Sequence, residues 1–135
     1  MATVETVYLG DLRTQATHVR SGQQIITDAP IDNQGKGEAF SPTDLLATAL
    51  GSCILTVMGI AAREQKVSID GTTCSITKIM ATEPRRVGAI EITFNFPARD
   101  YSDKVKIILE RAAKTCPVAK SLHPDLEEKL VFNWA

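Results

Sequence analysis

An uncharged run of eighteen residues, LLATALGSCILTVMGIAA at 45–62, limits the folds that this chain can adopt. Eighteen residues is about the length at which an apolar helix can span a bilayer. This run is diluted by glycine, serine, threonine and alanine, and its flanks resemble strands rather than an aromatic membrane belt. We therefore expect a helix buried in a protein core and no membrane partner. Because 135 residues can hardly cover every face of such a helix, the run also favours a second subunit.

The four residues before the run, SPTD, carry the signals of a helix start. Ser41 is a good N-cap, Pro42 suits the first helical position, and Asp44 completes a capping pattern. The sequence therefore predicts one long helix that begins at Pro42 and ends near Arg63–Gln65.

The flanking segments alternate apolar and polar residues or have a helical period, which predicts an α+β protein with segregated layers. Residues 3–28 are predicted to form a three-stranded meander with turns at Gly10-Asp11 and Ser21-Gly22. Two antiparallel strands and a second helix should follow the long helix, and the chain should end in a strand, without a crossed parallel sheet. The predicted ranges are 66–83 and 87–98 for the strands, 101–116 for the helix and 129–134 for the last strand. We expect a single domain over residues 1–135.

Composition excludes several classes of function. The chain has 15 Lys and Arg against 16 Asp and Glu, which gives no electrostatic basis for nucleic-acid binding. The first residues lack a signal-peptide pattern, so a cytoplasmic location is expected. Neither histidine, His18 or His123, has a neighbour at metal-ligand spacing, so no metal site is expected. His18 is interpreted as a partly buried histidine bonded to backbone and His123 as exposed.

The three cysteines, Cys53, Cys74 and Cys116, do not form the framework of a secreted disulfide protein. Cys74 lies in a predicted strand and is interpreted as structural. Cys53 has small neighbours, Gly51 and Ser52, which predict room above its thiol for a reactant or another chain. Cys116 precedes Pro117, so it should cap a short helix whose N–H groups favour a thiolate.

Two thiols within reach of one another permit a redox cycle. A thiolate attacks the O–O bond of a peroxide and becomes a sulfenic acid, and a second thiol condenses with it to form a disulfide. Spacing alone does not show that Cys53 and Cys116 meet, because they lie far apart in the chain.

The motif SPTDLLATALGSC, followed much later by CPVAKSL, resembles the OsmC/Ohr family, osmotically inducible protein C and organic hydroperoxide resistance protein. The resemblance covers nearly the whole chain and implies an OsmC-like fold: antiparallel sheets around a long central helix in an intertwined homodimer. It implies that Cys53 is the peroxidatic cysteine and Cys116 the resolving one. Members of the family reduce organic hydroperoxides to alcohols, with no bound cofactor, and an external dithiol of the lipoyl type reduces their disulfide.

The chain departs from the family pattern at one position. In the active peroxidases an Arg and a Glu accompany the peroxidatic cysteine, and the Glu directly follows the proline that begins the long helix. Here that position is Thr43, which cannot hold an arginine through a bidentate ion pair. Asp44 and Glu38 are possible substitutes for the Glu. The cation should come from the early strands or the loop after them, where the candidates are Arg13, Arg20 and Lys36.

These observations leave three hypotheses. The first is a thiol-dependent peroxidase in oxidative stress defence, in which Cys53 attacks and Cys116 resolves. Apolar residues near Cys53 would favour alkyl substrates; they are Leu45, Leu46, Ala49, Leu50, Ile54 and Val57. The second is a non-catalytic dimeric protein of the same fold that binds a small apolar ligand, which Thr43 favours. The third is a purely structural domain.

Overall fold

The computed structural model describes all residues, 1–135, and the chain forms two compact units, residues 1–46 and 47–135. We describe the two units separately. The expectation of a single domain remains a prediction. Six strands and three α-helices are present, and their order along the chain is the predicted one: three strands, a long helix, two strands, helices and a last strand.

The first unit contains an antiparallel meander, as predicted. Its strands are β1 (Val4–Gly10), β2 (Arg13–His18) and β3 (Gln24–Asp28), hydrogen-bonded in the order β1-β2-β3. The β1–β2 turn lies at the predicted place, where Gly10 has a φ of 92° that favours glycine. In the β2–β3 register Arg13 faces Asp28 directly, which brings a cation and a carboxylate together.

The long helix α1 spans Pro42–Glu64, in agreement with the predicted bounds. Its start is a reciprocal capping box, because the Asp44 N–H donates to Ser41 Oγ and the Ser41 N–H donates to Asp44 Oδ2, both at 3.0 Å. By length and composition this helix could cross a membrane. That observation is weak, since the core helix of a soluble protein has the same properties.

The second unit contains a three-stranded sheet that differs from the expected antiparallel arrangement in one pair. Strands β4 (Thr73–Ala81) and β5 (Arg86–Asn95) pair antiparallel, as predicted, although β4 begins later than expected. Strand β6 (Glu127–Asn133) pairs with β5 in parallel. The expectation of purely antiparallel sheets was therefore wrong for this pair. Parallel pairing needs a long crossover connection, and two helices between β5 and β6 provide it.

Those two helices are α2 (Asp103–Ala113) and α3 (Pro117–Ser121). Ser102 caps α2 by accepting a hydrogen bond from the Val105 N–H at 3.2 Å. The core of the second unit combines one face of α1 with the inner face of the sheet and with α2. Its most deeply buried apolar side chains are Leu50, Ile54, Met58, Ile90, Ile92, Phe94 and Leu109.

Candidate functional site

Cys53 lies in the middle of α1 and is half-buried. Its helix neighbour Ser52 is exposed, so this part of the helix surface is open to solvent in the chain. Gly51, in contrast, does not make room for a reactant. A Cβ added at Gly51 would collide with Ile76 Cδ1, so the absence of a side chain lets the helix approach β4. The interpretation of Gly51 as space above the Cys53 thiol was wrong, because this glycine faces the sheet.

Cys116 is the N-cap of α3, as the sequence predicted, and is completely buried. Its Sγ accepts a hydrogen bond from the Ala119 N–H at 3.3 Å. Pro117 occupies the first helical position, where the lack of an N–H has no cost.

The fold brings the two distant cysteines together. The thiols of Cys53 and Cys116 are neighbours, since interaction with Cys53 raises the pKa of Cys116. Cys116 belongs to the apolar core cluster of the second unit, and Cys53 packs against that cluster. Both are free thiols in this structure. Contact between an accessible thiol and a buried one is the arrangement that disulfide formation requires.

The ionisation expected for Cys116 was wrong. Burial raises the pKa of the Cys116 thiol, and the hydrogen bond from Ala119 N–H only partly offsets this effect. The contact with Cys53 and the negative charge of Glu128 raise this pKa further. Cys116 is therefore kept protonated. The free-energy cost of desolvating its thiolate exceeds the stabilisation that the N-terminus of a five-residue helix gives to that thiolate.

Cys74 lies on β4, and burial raises the pKa of its thiol. Its Sγ lies 3.7 Å from the position of a Cβ added at Gly51, so the thiol belongs to the packing between α1 and β4. Cys74 is half-buried, and its packing against α1 is that of a structural cysteine.

Two of the apolar residues expected beside the substrate lie elsewhere. Leu50 and Ile54 have no exposed surface and belong to the core, so they do not line an open pocket. Ala49 lies on the exposed side of the same helix, and Val57 is half-buried. Helical periodicity explains the difference, because residues 50, 54 and 58 share one face.

The first unit holds a separate charged cluster around Arg13. Its guanidinium makes a bidentate ion pair with Asp28, with Nε–Oδ1 and Nη2–Oδ2 distances of 2.7 and 2.8 Å. Glu38 accepts a third hydrogen bond from Nη2 at 3.3 Å. The side chain of Arg13 is 29% exposed and that of Asp28 only 1%. Of the three candidate cations, Arg13 is the one held by a buried carboxylate, whereas Arg20 and Lys36 are exposed.

Asp28 was not identified from the sequence. It closes β3, where a carboxylate usually indicates only a turn. The signal that could have identified Asp28 is its position opposite Arg13 in the β2–β3 pair, and that position depends on the geometry of the hairpin.

Near the start of α1, Thr43 lies close to the Ser41 hydroxyl, with an Oγ–Oγ1 distance of 3.2 Å. Asp44 is used by the capping box. Asp44 therefore has a capping role, and of the two possible substitutes for the glutamate only Glu38 is hydrogen-bonded to Arg13.

The histidines lie outside these clusters. His18 is exposed, and its Nδ1 is hydrogen-bonded to Ser21 Oγ at 2.6 Å, so the interpretation as a buried, backbone-bonded histidine was wrong. His123 is exposed, as expected, and accepts a hydrogen bond from the Asp125 N–H. No group of three or more His, Cys, Asp and Glu side chains is placed to hold a metal ion.

The Arg13–Asp28 pair predicts how acid affects stability. The hydrogen bond from Arg13 lowers the pKa of Asp28 and outweighs the opposing effect of burial. A carboxylate with a lowered pKa stabilises the fold above its unfolded value of 3.8, and this stabilisation is lost as the pH falls through the folded value. We expect the unfolding free energy of Asp28→Asn to lie below that of the wild type by a constant amount above about pH 5, and the gap to narrow below about pH 4. Urea unfolding between pH 2.5 and 7 measures this gap.

Glu38→Gln is the matched control, because Glu38 makes one exposed contact with the same guanidinium. Its effect should be smaller at every pH. A gap between Asp28→Asn and the wild type that does not change with pH would contradict the assigned role of the ion pair.

Comparison with known proteins adds to this geometry. The family model described as OsmC-like protein matches residues 35–129. A solved structure from Psychrobacter arcticus 273-4, described as an osmotic stress induced and detoxification response protein, is 54% identical, with a TM-score of 0.94 over 98% of this chain and 96% of the other. A comparison with curated proteins gave no match.

More distant structures share the fold. An OsmC-like protein from Mycoplasma pneumoniae is 18% identical, with a TM-score of 0.80 over 98% of this chain and 95% of the other. An organic hydroperoxide resistance protein, OsmC, from Legionella pneumophila is 15% identical, with a TM-score of 0.75 over 98% of each chain. The α+β arrangement of two sheets and a long helix is thus the arrangement of these proteins. With the match over residues 35–129 and the 54% identical relative, the chain belongs to the OsmC-like protein family.

Proposed function

We propose that this chain is a thiol-dependent peroxidase that reduces organic hydroperoxides to alcohols. The Cys53 thiolate attacks the terminal oxygen of the hydroperoxide, the O–O bond breaks, and the alkoxide leaves as alcohol after protonation. The Cys116 thiol then condenses with the Cys53 sulfenic acid, which releases water and forms the disulfide. An external dithiol of the lipoyl type reopens that disulfide by exchange, and no cofactor is bound.

The contact between the Cys53 and Cys116 thiols carries this proposal. Cys53 is half-buried and can meet a reactant, whereas Cys116 is completely buried. Burial also keeps Cys116 protonated, so this thiol does not compete for the peroxide. Family membership supports the same reaction, since relatives of this fold include organic hydroperoxide resistance proteins.

The proposal needs a positive group to stabilise the Cys53 thiolate. Arg13, Arg20 and Lys36 stay the candidates for this group, and the guanidinium of Arg13 is the one that Asp28 fixes through two hydrogen bonds. Asp28 supplies to Arg13 the bidentate carboxylate that Thr43 cannot.

An intertwined homodimer and a cytoplasmic location complete the proposal. The exposed side of α1 supports a second subunit, since it carries Leu46 and Ile60 at 37% and 53% exposure. Partner copies would cover these side chains and shield them from water. Sedimentation of the purified protein tests the dimer.

Intact-mass analysis after one equivalent of cumene hydroperoxide tests the reaction. The wild type should lose two hydrogen atoms, and peptide mapping should assign the loss to a Cys53–Cys116 disulfide. Cys116→Ser should instead gain one oxygen atom on Cys53 and stop after that single turnover, because no thiol resolves the sulfenic acid. Cys74→Ser is the matched control and should behave as the wild type.

The alternative is a non-catalytic dimeric protein of this family that binds a small apolar ligand. Thr43, in place of the glutamate that the family pattern has, is the observation that favours it. An unchanged mass, or oxidation scattered over all three cysteines, would support this alternative and contradict the peroxidase.

A further inference from the structure

Cys116 follows helix α2 through a short link that is hydrogen-bonded to the last turn of that helix. The Lys114 N–H donates to the carbonyl oxygen of Arg111 at 3.1 Å. The Thr115 N–H and the Thr115 Oγ1 hydroxyl both donate to the carbonyl oxygen of Ala112, at 3.0 and 2.7 Å. Because these bonds fold the link back onto α2, a shift or rotation of the helix moves the Cys116 thiol with it.

Two kinds of contact hold α2 in the second unit. Leu109 and Ala113 have no exposed surface and pack in the apolar core. Apolar burial is non-directional, so its free energy depends less on the exact rotation of the helix than a hydrogen bond does. Glu110 supplies such a directional contact, because its Oε2 accepts a hydrogen bond from Trp134 Nε1 at 3.0 Å. A hydrogen bond to a carboxylate is also stronger than one between neutral groups.

The indole of Trp134 is itself held in place by aromatic neighbours. Trp134 comes directly after β6, and its ring stacks on that of Phe96 with centroids 3.7 Å apart. The edge of the Tyr101 ring lies against it at a centroid distance of 5.2 Å. Tyr101 is fixed in turn, since its hydroxyl donates to the carbonyl oxygen of Ser68 at 2.7 Å. The indole N–H is therefore a fixed donor, and Glu110 ties α2 to it.

We propose that the hydrogen bond between Trp134 and Glu110 positions the Cys116 thiol for bonding to Cys53. With this bond in place, α2 and the link after it hold the Cys116 sulfur beside the Cys53 sulfur. Without it, α2 stays on the core but samples more rotations, so the two sulfur atoms meet less often. Trp134 and Glu110 are thus positioning residues that act through α2. Their place in a catalytic cycle rests on the proposed function, whereas their effect on the encounter of the two thiols does not require peroxide chemistry.

Thiol–disulfide exchange with glutathione tests this role without peroxide. In a Cys74→Ser background, the two protein thiols reduce one molecule of oxidised glutathione, the Cys53–Cys116 disulfide forms, and two molecules of reduced glutathione are released. The equilibrium constant of this exchange is the effective concentration of one protein thiol toward the other. Intact-mass analysis after alkylation of the free thiols measures this constant. A variant that only weakens the fold leaves it unchanged, as long as both redox forms remain folded.

Trp134→Phe keeps an aromatic ring beside Phe96 and removes the N–H donor. We expect this variant to lower the effective concentration at least about 5-fold, which is the lower end of typical coupling between two groups. Glu110→Ala should have the same effect, and the double variant should lose no more than either single one, because each removes the same hydrogen bond. Glu110→Gln keeps an acceptor oxygen and should remain within about 2-fold of the wild type.

Asn133→Ala is the matched control. Asn133 precedes Trp134 and donates a hydrogen bond of the same length, 3.0 Å, to Asn95 Oδ1 on β5. This variant therefore removes a side-chain hydrogen bond from the same end of β6 without affecting the one to α2. Its effective concentration should equal that of the wild type.

The outcomes separate this proposal from the peroxidase function. An effective concentration in Trp134→Phe equal to that of the wild type would overturn the proposal. An equal loss in Asn133→Ala would also overturn it, since the loss would then reflect a general loosening of the sheet. The expected losses in Trp134→Phe and Glu110→Ala, together with no peroxide consumption by the wild type, would overturn the peroxidase function alone.

Discussion

Replacement of Cys53 by serine should abolish the reduction of cumene hydroperoxide in the presence of dihydrolipoamide. We expect a loss of at least about 1,000-fold, because a serine hydroxyl is far less nucleophilic than a thiolate and forms no sulfenic acid. We expect the Cys53 thiol to be the one that meets the peroxide, because Cys53 is half-buried whereas Cys116 has no exposed surface. Peroxide consumption in a coupled assay measures the rate.

The control is Cys74→Ser, whose rate should remain that of the wild type because this thiol packs between α1 and β4. Unfolding curves should show that both serine variants remain folded at the assay temperature. Peroxide consumption by Cys53→Ser equal to that of the wild type would contradict the role of Cys53. Loss of activity in Cys74→Ser alone would move the reactive thiol to β4.

Replacement of Phe94 by alanine should cause the largest loss of stability from a single truncation. Phe94 has no exposed surface and stacks on Phe132 with ring centroids 5.2 Å apart. Its ring also lies 6.5 Å from that of Phe96. Truncation removes buried apolar area and leaves a cavity, which costs about 3–5 kcal/mol. Thermal unfolding should show a Tm lower by roughly 10–20 °C.

Val131→Ala is the matched control on the neighbouring strand, because Val131 is 49% exposed. Its unfolding free energy should lie within about 0.5 kcal/mol of the wild type. A loss in Phe94→Ala no larger than that of Val131→Ala would show that the sheet, and not the aromatic cluster, supports the second unit.

Local signals predicted the helices well. The capping box at Ser41 and Asp44 and the Cys116-Pro117 pair each locate the start of a helix to within a few residues. Strand alternation likewise predicted the meander and the β4–β5 pair. The direction of β6 was missed, since a short alternating segment has the same pattern in parallel and antiparallel pairs.

The sequence motifs named Cys53 and Cys116 as the candidate site, and the structure places their thiols near one another. Their roles in catalysis stay a prediction. The ionisation of Cys116 was not predictable, because the cap is a local feature whereas burial is set by the whole core. Asp28 was missed for the same reason, because it matters through Arg13, a residue from another part of the chain.

By itself the sequence determined where helices begin, which segments alternate as strands, and which two cysteines occupy special helix positions. Those properties depend on residues within about one or two helical turns, so they can be read locally. Tertiary structure alone decided that the two thiols are neighbours, that burial raises the pKa of Cys116, and that Asp28 holds Arg13. These depend on how much water and which charges surround each group, and only the packing of distant segments sets that environment.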